Sequence, residues 1–362
     1  MTLLFGNALL NSSDYTYVKT MNQELVYTAA QQYIQMANEQ MMDAMNLFVE
    51  PTPTVNHKER YKLGLTGRMQ KVSELMTGAP VTRSGEWDIA FPLDNYHESI
   101  VVSDVDMAHM TPQELQLHVD GVLTRSANAK RFAVLYRIFN NTQDTFTDKR
   151  WGSLTIEPIA NGDTVLYPPV EGSESEATED HYLGSSYLAS AISNTNNPYK
   201  TISDDLVHHG MNETVDIPLA FLINTAQQTV TEALQSFIPY IPPAIASGND
   251  TDQVLMPPRN LPGKIIGYIL GHGWVSIWNW IPAGWIVGVN MAVPQPLKMR
   301  VDPPETGLGN GGLVLLPEER NGVMTFNSWR LRFGIGGANR LSAAVMDLSN
   351  ADSDYDIPTA YQ

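Results

Sequence analysis

The chain has 362 residues, 43% of them hydrophobic, which is enough for a substantial core and for one elaborate fold or two ordinary domains. Lys and Arg total 22 against 39 Asp and Glu, a net charge of −17, which argues against a protein that grips DNA through a basic face. The absence of cysteine excludes disulfides, thiolate metal sites and a cysteine nucleophile, and no run approaches the roughly 18 continuous apolar residues that a membrane helix needs.

In chain order, Met1-Thr2-Leu3-Leu4-Phe5 has neither a basic flank nor a long apolar core, so no secretory signal is expected. Residues 1–19 read as an extended arm. Thr20-Met21-Asn22-Gln23 has the capping-box spacing, and the helix it predicts reaches about residue 48, with Val26, Ala29, Ala30, Tyr33 and Ala37 on one side. Met36, Met41, Met42 and Met45 supply flexible, gap-filling side chains, for helix packing or for a methionine-lined ligand groove. Pro51-Thr52-Pro53 stops this helix.

Residues 57–103 change period. Tyr61, Leu63 and Leu65 alternate with Lys62, Gly64 and Thr66, and Trp87, Ile89 and Phe91 alternate with Glu86, Asp88 and Ala90. Period two predicts two strands, each with one apolar face. Thr77-Gly78-Ala79-Pro80 and Ser84-Gly85 are turn signals between them. A two-stranded ribbon is marginal alone in water. The face carrying Tyr61, Leu63, Leu65, Trp87, Ile89 and Phe91 is therefore expected to lie against something else, with a neighbouring subunit as the natural candidate.

Residues 111–139 form the longest predicted element. Thr111-Pro112-Gln113-Glu114 is a capping box with proline at the first helical position. Leu115, Val119, Val122, Ala129, Ala133 and Tyr136 follow at helical spacing, with Phe132, Leu135 and Phe139 as a second apolar line. At about 1.5 Å per residue the rod is roughly 40 Å long, a scaffolding length.

Beyond it, residues 151–156 and 164–167 are predicted strands around a turn at Asn161-Gly162-Asp163. Glu171, Glu174, Glu176, Glu179 and Asp180 read as a solvated, self-repelling loop without the EF-hand pattern of a calcium site. A short helix over 202–209 closes at Gly210, and 215–223 reads as a buried strand. Thr225-Ala226-Gln227-Gln228 is a third capping box, with Val230, Ala233, Leu234, Phe237 and Ile238 following at helical spacing until Pro239. Strands are predicted over 265–270, 274–280, 285–289 and 313–316, with one or two more in 329–346. The sum is an α+β arrangement with a mostly antiparallel sheet. The acidic tail from Asp347 reads as a loose end.

No motif carries chemistry. Gly307-Leu308-Gly309-Asn310-Gly311-Gly312 matches a dinucleotide pattern, but Pro303-Pro304 precede it and Pro317 follows closely, so it predicts a turn. Neighbours on a helix point about 100° apart, so His208 and His209 are read as cations at a helix C-terminus, not as one metal's ligands. A G-x-S-x-G elbow and an H-E-x-x-H pair are both absent. Trp274, Trp278, Trp280 and Trp285 suit a core or interface better than base stacking, because no basic residues interleave with them. Neither catalysis nor a cofactor nor a metal is expected.

The order of these parts resembles the major capsid proteins of tailed bacteriophages, which have the Hong Kong 97-type fold. Residues 1–55 resemble the N-terminal arm, 56–108 the extended loop that overlaps an adjacent subunit, and 109–200 the peripheral domain with its spine helix at 111–139. Residues 201–346 are similar to the axial domain, including a closing strand that returns to the core, and 347–362 form the tail. The motifs are Arg330-Leu331-Arg332-Phe333 followed by Asn339-Arg340-Leu341-Ser342-Ala343-Ala344-Val345-Met346, similar to that closing strand, and Ile281-Pro282-Ala283-Gly284, similar to the turn before a strand.

The resemblance implies a non-enzymatic subunit that assembles in the host cytoplasm, through hexamers and pentamers, into the icosahedral shell of a virion. It implies double-stranded DNA contacted weakly and without sequence specificity, scaffolding, portal and decoration proteins as further partners, and no membrane. Some relatives cross-link a loop lysine, for which Lys62 and Lys71 are the candidate amines. Two other readings stay open: an encapsulin-like nanocompartment shell, and a β-rich carbohydrate-binding protein using the tryptophans.

Overall fold

Two sheets and one long helix share the main core of this computed structural model, which describes residues 23–63, 85–171, 173, 175–209, 219–240, 257–258, 261–316, 319–321 and 324–362. In chain order the first half contains α1 (Gln23–Met45), β1 (Val49–Pro53), β2 (Lys58–Lys62), β3 (Glu86–Ala90), β4 (Asp94–Ser103), α2 (Asp104–His109) and α3 (Pro112–Phe139). Then come β5 (Asp144–Asp148), β6 (Gly152–Ile156), β7 (Tyr182–Gly184), α4 (Pro198–Val207), β8 (Leu219–Ile223), α5 (Gln228–Glu232) and β9 (Phe237–Pro239). The remainder is β10 (Lys264–Ile269), β11 (Gly273–Ile277), β12 (Trp285–Asn290), β13 (Leu297–Val301), β14 (Leu313–Leu315), β15 (Glu319–Asn321), β16 (Met324–Gly337) and β17 (Ala343–Asp347).

The first sheet is organised on β16. It pairs antiparallel with β4 from Met324↔Ser103 to Phe333↔Asp94, and with β13, β14 and β15 along its length. β1 adds to β13 in parallel, Val49 opposite Leu297. α1 ends at Met45, before the prolines expected to stop it, and Pro51 and Pro53 sit in this edge strand, where a missing donor is tolerated. The second sheet runs β7-β17-β12-β8-β11-β10-β9. Its β8–β11 and β17–β7 pairs are parallel and the other four antiparallel, so the sheet is mostly antiparallel, as expected.

The second sheet is buried on both faces, and period two divides its residues between two cores. Ala220, Leu222, Val287, Val289, Ala343 and Val345 face the core that holds α3 and the first sheet. Leu219, Phe221, Ile223, Ile286, Ala344 and Met346 face α4 with its Tyr199, Ile202 and Leu206. Chain order and layers do not coincide. Within residues 201–346, β8–β12 and β17 belong to the second sheet, while β13–β16 return to the first.

The spine α3 starts as its residues dictate. The Thr111 side chain accepts from the Glu114 backbone N–H, and the Thr111 N–H donates to the Glu114 carboxylate at 2.8 Å. Its far end is held by two phenols: Tyr355 donates to the Phe139 carbonyl at 2.7 Å and Tyr182 to the Asn140 carbonyl at 2.8 Å. These carbonyls are among those that a helix end leaves unsatisfied. The buried line of α3 runs through Val119, Val122, Ser126, Lys130, Val134 and Ile138, whereas Phe132 is exposed.

Several expectations are corrected. The Thr20–Gln23 capping box begins outside the described residues, as do Gly210 and the Leu65 position. The partner of β6 is β5, with Asp144 opposite Ile156; residues 164–167 form no strand, though Tyr167 bridges to Ala177. The third cap is shifted by one residue: Asn224 accepts from Ala226, and the Asn224 N–H donates to Gln227. α5 ends at Glu232, and Phe237–Pro239 joins the second sheet. The tail is not loose. Tyr361 is buried, stacks on Phe139 at 5.1 Å and donates to the Trp280 carbonyl at 2.7 Å.

Candidate functional site

The ribbon β2–β3 is the first candidate. Its register sets Arg60 opposite Asp88, Tyr61 opposite Trp87 and Lys62 opposite Glu86. One face is ionic, with Lys58–Asp88 and Arg60–Glu86 at 2.7 Å and Lys62–Glu86 at 3.1 Å. Lys62 and Arg60 hold the Glu86 carboxyl below its ordinary range. The other face is apolar and closes on the chain's own body. Leu63, Trp87, Ile89 and Phe91 are buried with Tyr167, Ala338 and Leu341.

A neighbouring subunit was the expected cover for this face; for these four residues, packing partners are present within one chain. Trp87 is 5% exposed and Phe91 fully buried. Tyr61, half-buried, stacks on Trp87 at 5.0 Å and keeps an open edge. Leu65 lies outside the described residues.

Two arginines fix where the ribbon leaves the body. Arg300 on β13 donates Nε to the Thr54 carbonyl at 3.2 Å and its terminal nitrogens to the carbonyls of Val55 and Phe91 at 3.2 and 3.3 Å. It therefore clamps both the outgoing and the returning strand. Arg340, wholly buried, donates to the Pro158 carbonyl at 2.7 Å, to the Ile159 carbonyl at 3.3 Å and to Asp163 at 2.7 Å. Its guanidinium lies 5.7 Å from the Trp87 ring, a cation–π distance. Trp87 donates its indole N–H to Ala338 at 3.0 Å. The motif 339–346 is thus a structural hub.

Glycines let the ribbon base settle on β16. A Cβ on Gly334 would overlap the Pro92 carbonyl, and one on Gly336 would lie 2.5 Å from the Ala90 carbonyl oxygen. Backbone can pass this close only where no side chain intervenes.

Two of the four clustered tryptophans are taken up by the core. Trp274 and Trp278 are buried, Trp278 stacks on Phe48 at 5.8 Å, and Trp285 donates to the Asp356 carbonyl at 3.1 Å. Trp280 and Trp285 are half-buried, and the Arg131 guanidinium lies 5.7 Å from the Trp280 ring. The G-x-G-x-x-G segment is a turn with positive φ at Gly307, Gly309, Asn310 and Gly311. It leads into β14, whose Leu313 exchanges hydrogen bonds with Asn38 of α1.

A second group was only half legible. α4 ends at Val207, and His208 is its C-cap, still right-handed with its N–H donating to the Asp204 carbonyl at 3.1 Å, so the pair stands at a helix C-terminus as expected. His208 Nε2 lies 3.3 Å and His209 Nε2 3.5 Å from the two oxygens of Glu179. Glu179 therefore does not belong to a freely solvated loop, which corrects that expectation. Burial and the adjacent His208 hold His209 down to about 4, and burial lifts the Asp205 carboxyl well above its usual range. The sequence signal was the His-His pair; its carboxylate partner, 29 positions before His208, had none.

No known protein family matches the sequence, and no curated protein matches it. The architecture does match: a solved structure described as Mycobacterium phage Patience covers 98% of this chain and 98% of its own, with a TM-score of 0.67 at 18% identity. The chain has the Hong Kong 97-type fold. The capsid of a native GTA particle is a more distant likeness, with a TM-score of 0.48, 11% identity and coverage of 85% and 90%. The mature capsid of bacteriophage PhiM1 gives 0.45, 9%, and 84% and 86%.

Proposed function

We propose that this chain is the major capsid protein of a tailed phage, a structural subunit that assembles into an icosahedral head around double-stranded DNA. The observation that carries the reading is the match of nearly the whole chain, ribbon and spine included, to a phage chain of the same length. An enzyme's fold would be expected to converge several titratable groups on an open cleft. Here two of the buried charges, Arg300 and Arg340, are occupied in holding backbone carbonyls.

Contacts between subunits then fall to surfaces that the chain does not cover itself. Leu117 on the spine, Val105 beside β4, Trp151 at the tip of the β5–β6 hairpin and Leu270 between β10 and β11 are apolar and exposed. Tyr61 and the ionic face of the ribbon continue this surface. Heterologous contacts of this kind close into a shell when they repeat around symmetry axes. A subunit charge of −17 keeps packaged DNA from adhering to the wall, consistent with weak contact lacking sequence specificity. Hexamers and pentamers, a scaffolding protein and a portal complete the proposed assembly, which takes place in the host cytoplasm.

Sedimentation velocity on the purified protein tests this. Capsid assembly predicts a fast boundary from closed particles or capsomers that shifts toward slower species on dilution or at high salt. A single slow boundary at the mass of one chain under all conditions would reject it. Particle contents separate the encapsulin-like alternative: an enzyme cargo in place of nucleic acid would favour that reading.

A further inference from the structure

We propose that Glu179, His208 and His209 form a zinc site, independent of shell assembly, that ties the 161–181 segment to the end of α4. Among the described residues these three form the one group whose potential ligand atoms lie within 4.8 Å of one another.

The orientation of the imidazoles supports it. His209 Nδ1 lies 2.8 Å from the Pro168 carbonyl, and His208 Nδ1 lies 3.2 Å from the Asp204 carbonyl. A carbonyl oxygen can only accept, so in each neutral ring the proton sits on Nδ1 and the bare lone pair is on Nε2. Both Nε2 atoms turn to one carboxylate, at 3.3 and 3.5 Å. A histidine whose second nitrogen donates to a backbone carbonyl is the usual outer support of a metal ligand.

The distances fit as well. With bonds of about 2.0–2.1 Å, neighbouring ligands of a tetrahedral zinc lie roughly 3.3–3.4 Å apart. His209 is 3% exposed, and its Nε2 has no hydrogen-bond partner in the chain although it is buried. Such an atom is costly to leave unsatisfied. Two imidazoles and a carboxylate select zinc or another late first-row ion over magnesium or calcium, which prefer all-oxygen sites. Three protein ligands leave a fourth position for water.

The site joins two segments that already touch through hydrogen bonds. Glu179 lies in the loop before β7, and the Glu171 N–H donates to the His208 carbonyl at 2.7 Å. A bound ion would fasten this loop to α4 and so brace the second sheet, stabilising the folded subunit by mass action.

The test is equilibrium dialysis of the full-length chain, stripped with EDTA, against zinc chloride, with metal content read by elemental analysis. One zinc per chain is expected, with at least about tenfold weaker binding in Glu179→Gln and in His208→Gln. The exposed-helix control His118→Gln should bind as the unaltered chain does. Cobalt(II) should give the intense visible bands of a tetrahedral site. If either variant fails to fold, the unaltered chain decides: zinc should raise its melting temperature and EDTA should reverse the rise. Absence of saturable binding, or undiminished binding in folded variants, would overturn the proposal.

Discussion

Trp87 donates its indole N–H to the Ala338 carbonyl at 3.0 Å, joining residues 251 positions apart. Through this contact the ribbon base is seated on the corner between β16 and β17, beside the buried guanidinium of Arg340. The base of the ribbon is therefore held on the body of its own chain. Trp87→Ala should cost about 3–5 kcal/mol of unfolding free energy, as large-to-small core substitutions do. Trp87→Phe keeps most of the packing but leaves a buried carbonyl unpaired, and should cost about 1–3 kcal/mol. Urea denaturation of unassembled subunits measures both.

The glycines of β16 predict a second, more localised effect. Gly334→Ala should push the ribbon base off the core strand, because the new methyl meets the Pro92 backbone. Gly271→Ala is the comparison: it has the strained positive φ but open space around it. Its cost should stay near 1–2 kcal/mol, the approximate left-handed penalty, while Gly334→Ala should exceed it. Limited proteolysis should also cut Gly334→Ala faster within residues 58–90.

Lys130 gives a pH-dependent prediction. It is 1% exposed on the core side of α3, and its amine has no hydrogen-bond partner in the chain. Burial lowers its pKa to about 8. The unfolded chain, with an ordinary lysine pKa of about 10.4, then binds more protons than the folded one between these values. The penalty is fully present below pH 8 and is relieved as the pH rises toward 10.4. Lys130→Met should be more stable at pH 7, and the stability difference from the unaltered protein should shrink from pH 8 to 10. Denaturant midpoints across that range check the sign.

Capping of the spine is separable at its two ends. Thr111→Ala removes the side-chain acceptor for the Glu114 N–H and should cost about 1 kcal/mol. Tyr355→Phe removes the hydroxyl that donates to the Phe139 carbonyl and should cost about 0.5–1.5 kcal/mol. Each is read from the thermal midpoint of the unassembled subunit.

What the sequence disclosed follows the reach of the physics. The Thr111 cap was legible because both partners lie within four residues. The alternation around Trp87 and Ile89 identified a strand with an apolar face. It could not say what covered that face, because Ala338 and Leu341 are brought there only by the completed fold. β5 was missed because Asp144-Thr145-Phe146-Thr147-Asp148 carries a single large apolar residue. The third cap slipped by one because Asn224 and Thr225 are both competent caps, each with a glutamine three residues on. The tail was read from its aspartates, yet it is anchored by Tyr355 and Tyr361. The His208–His209 pair and its helix end were visible, but Glu179, 29 positions before His208, was not legible as their partner.

The most direct measurement is single-particle cryo-electron microscopy of the purified protein at high concentration. Shell assembly predicts closed particles with five- and sixfold clusters. In them Leu117 and Leu270 are covered by adjacent copies, while Trp87 stays on Ala338 of its own chain. Isolated single subunits with Leu117 and Leu270 still facing solvent at every concentration would contradict it.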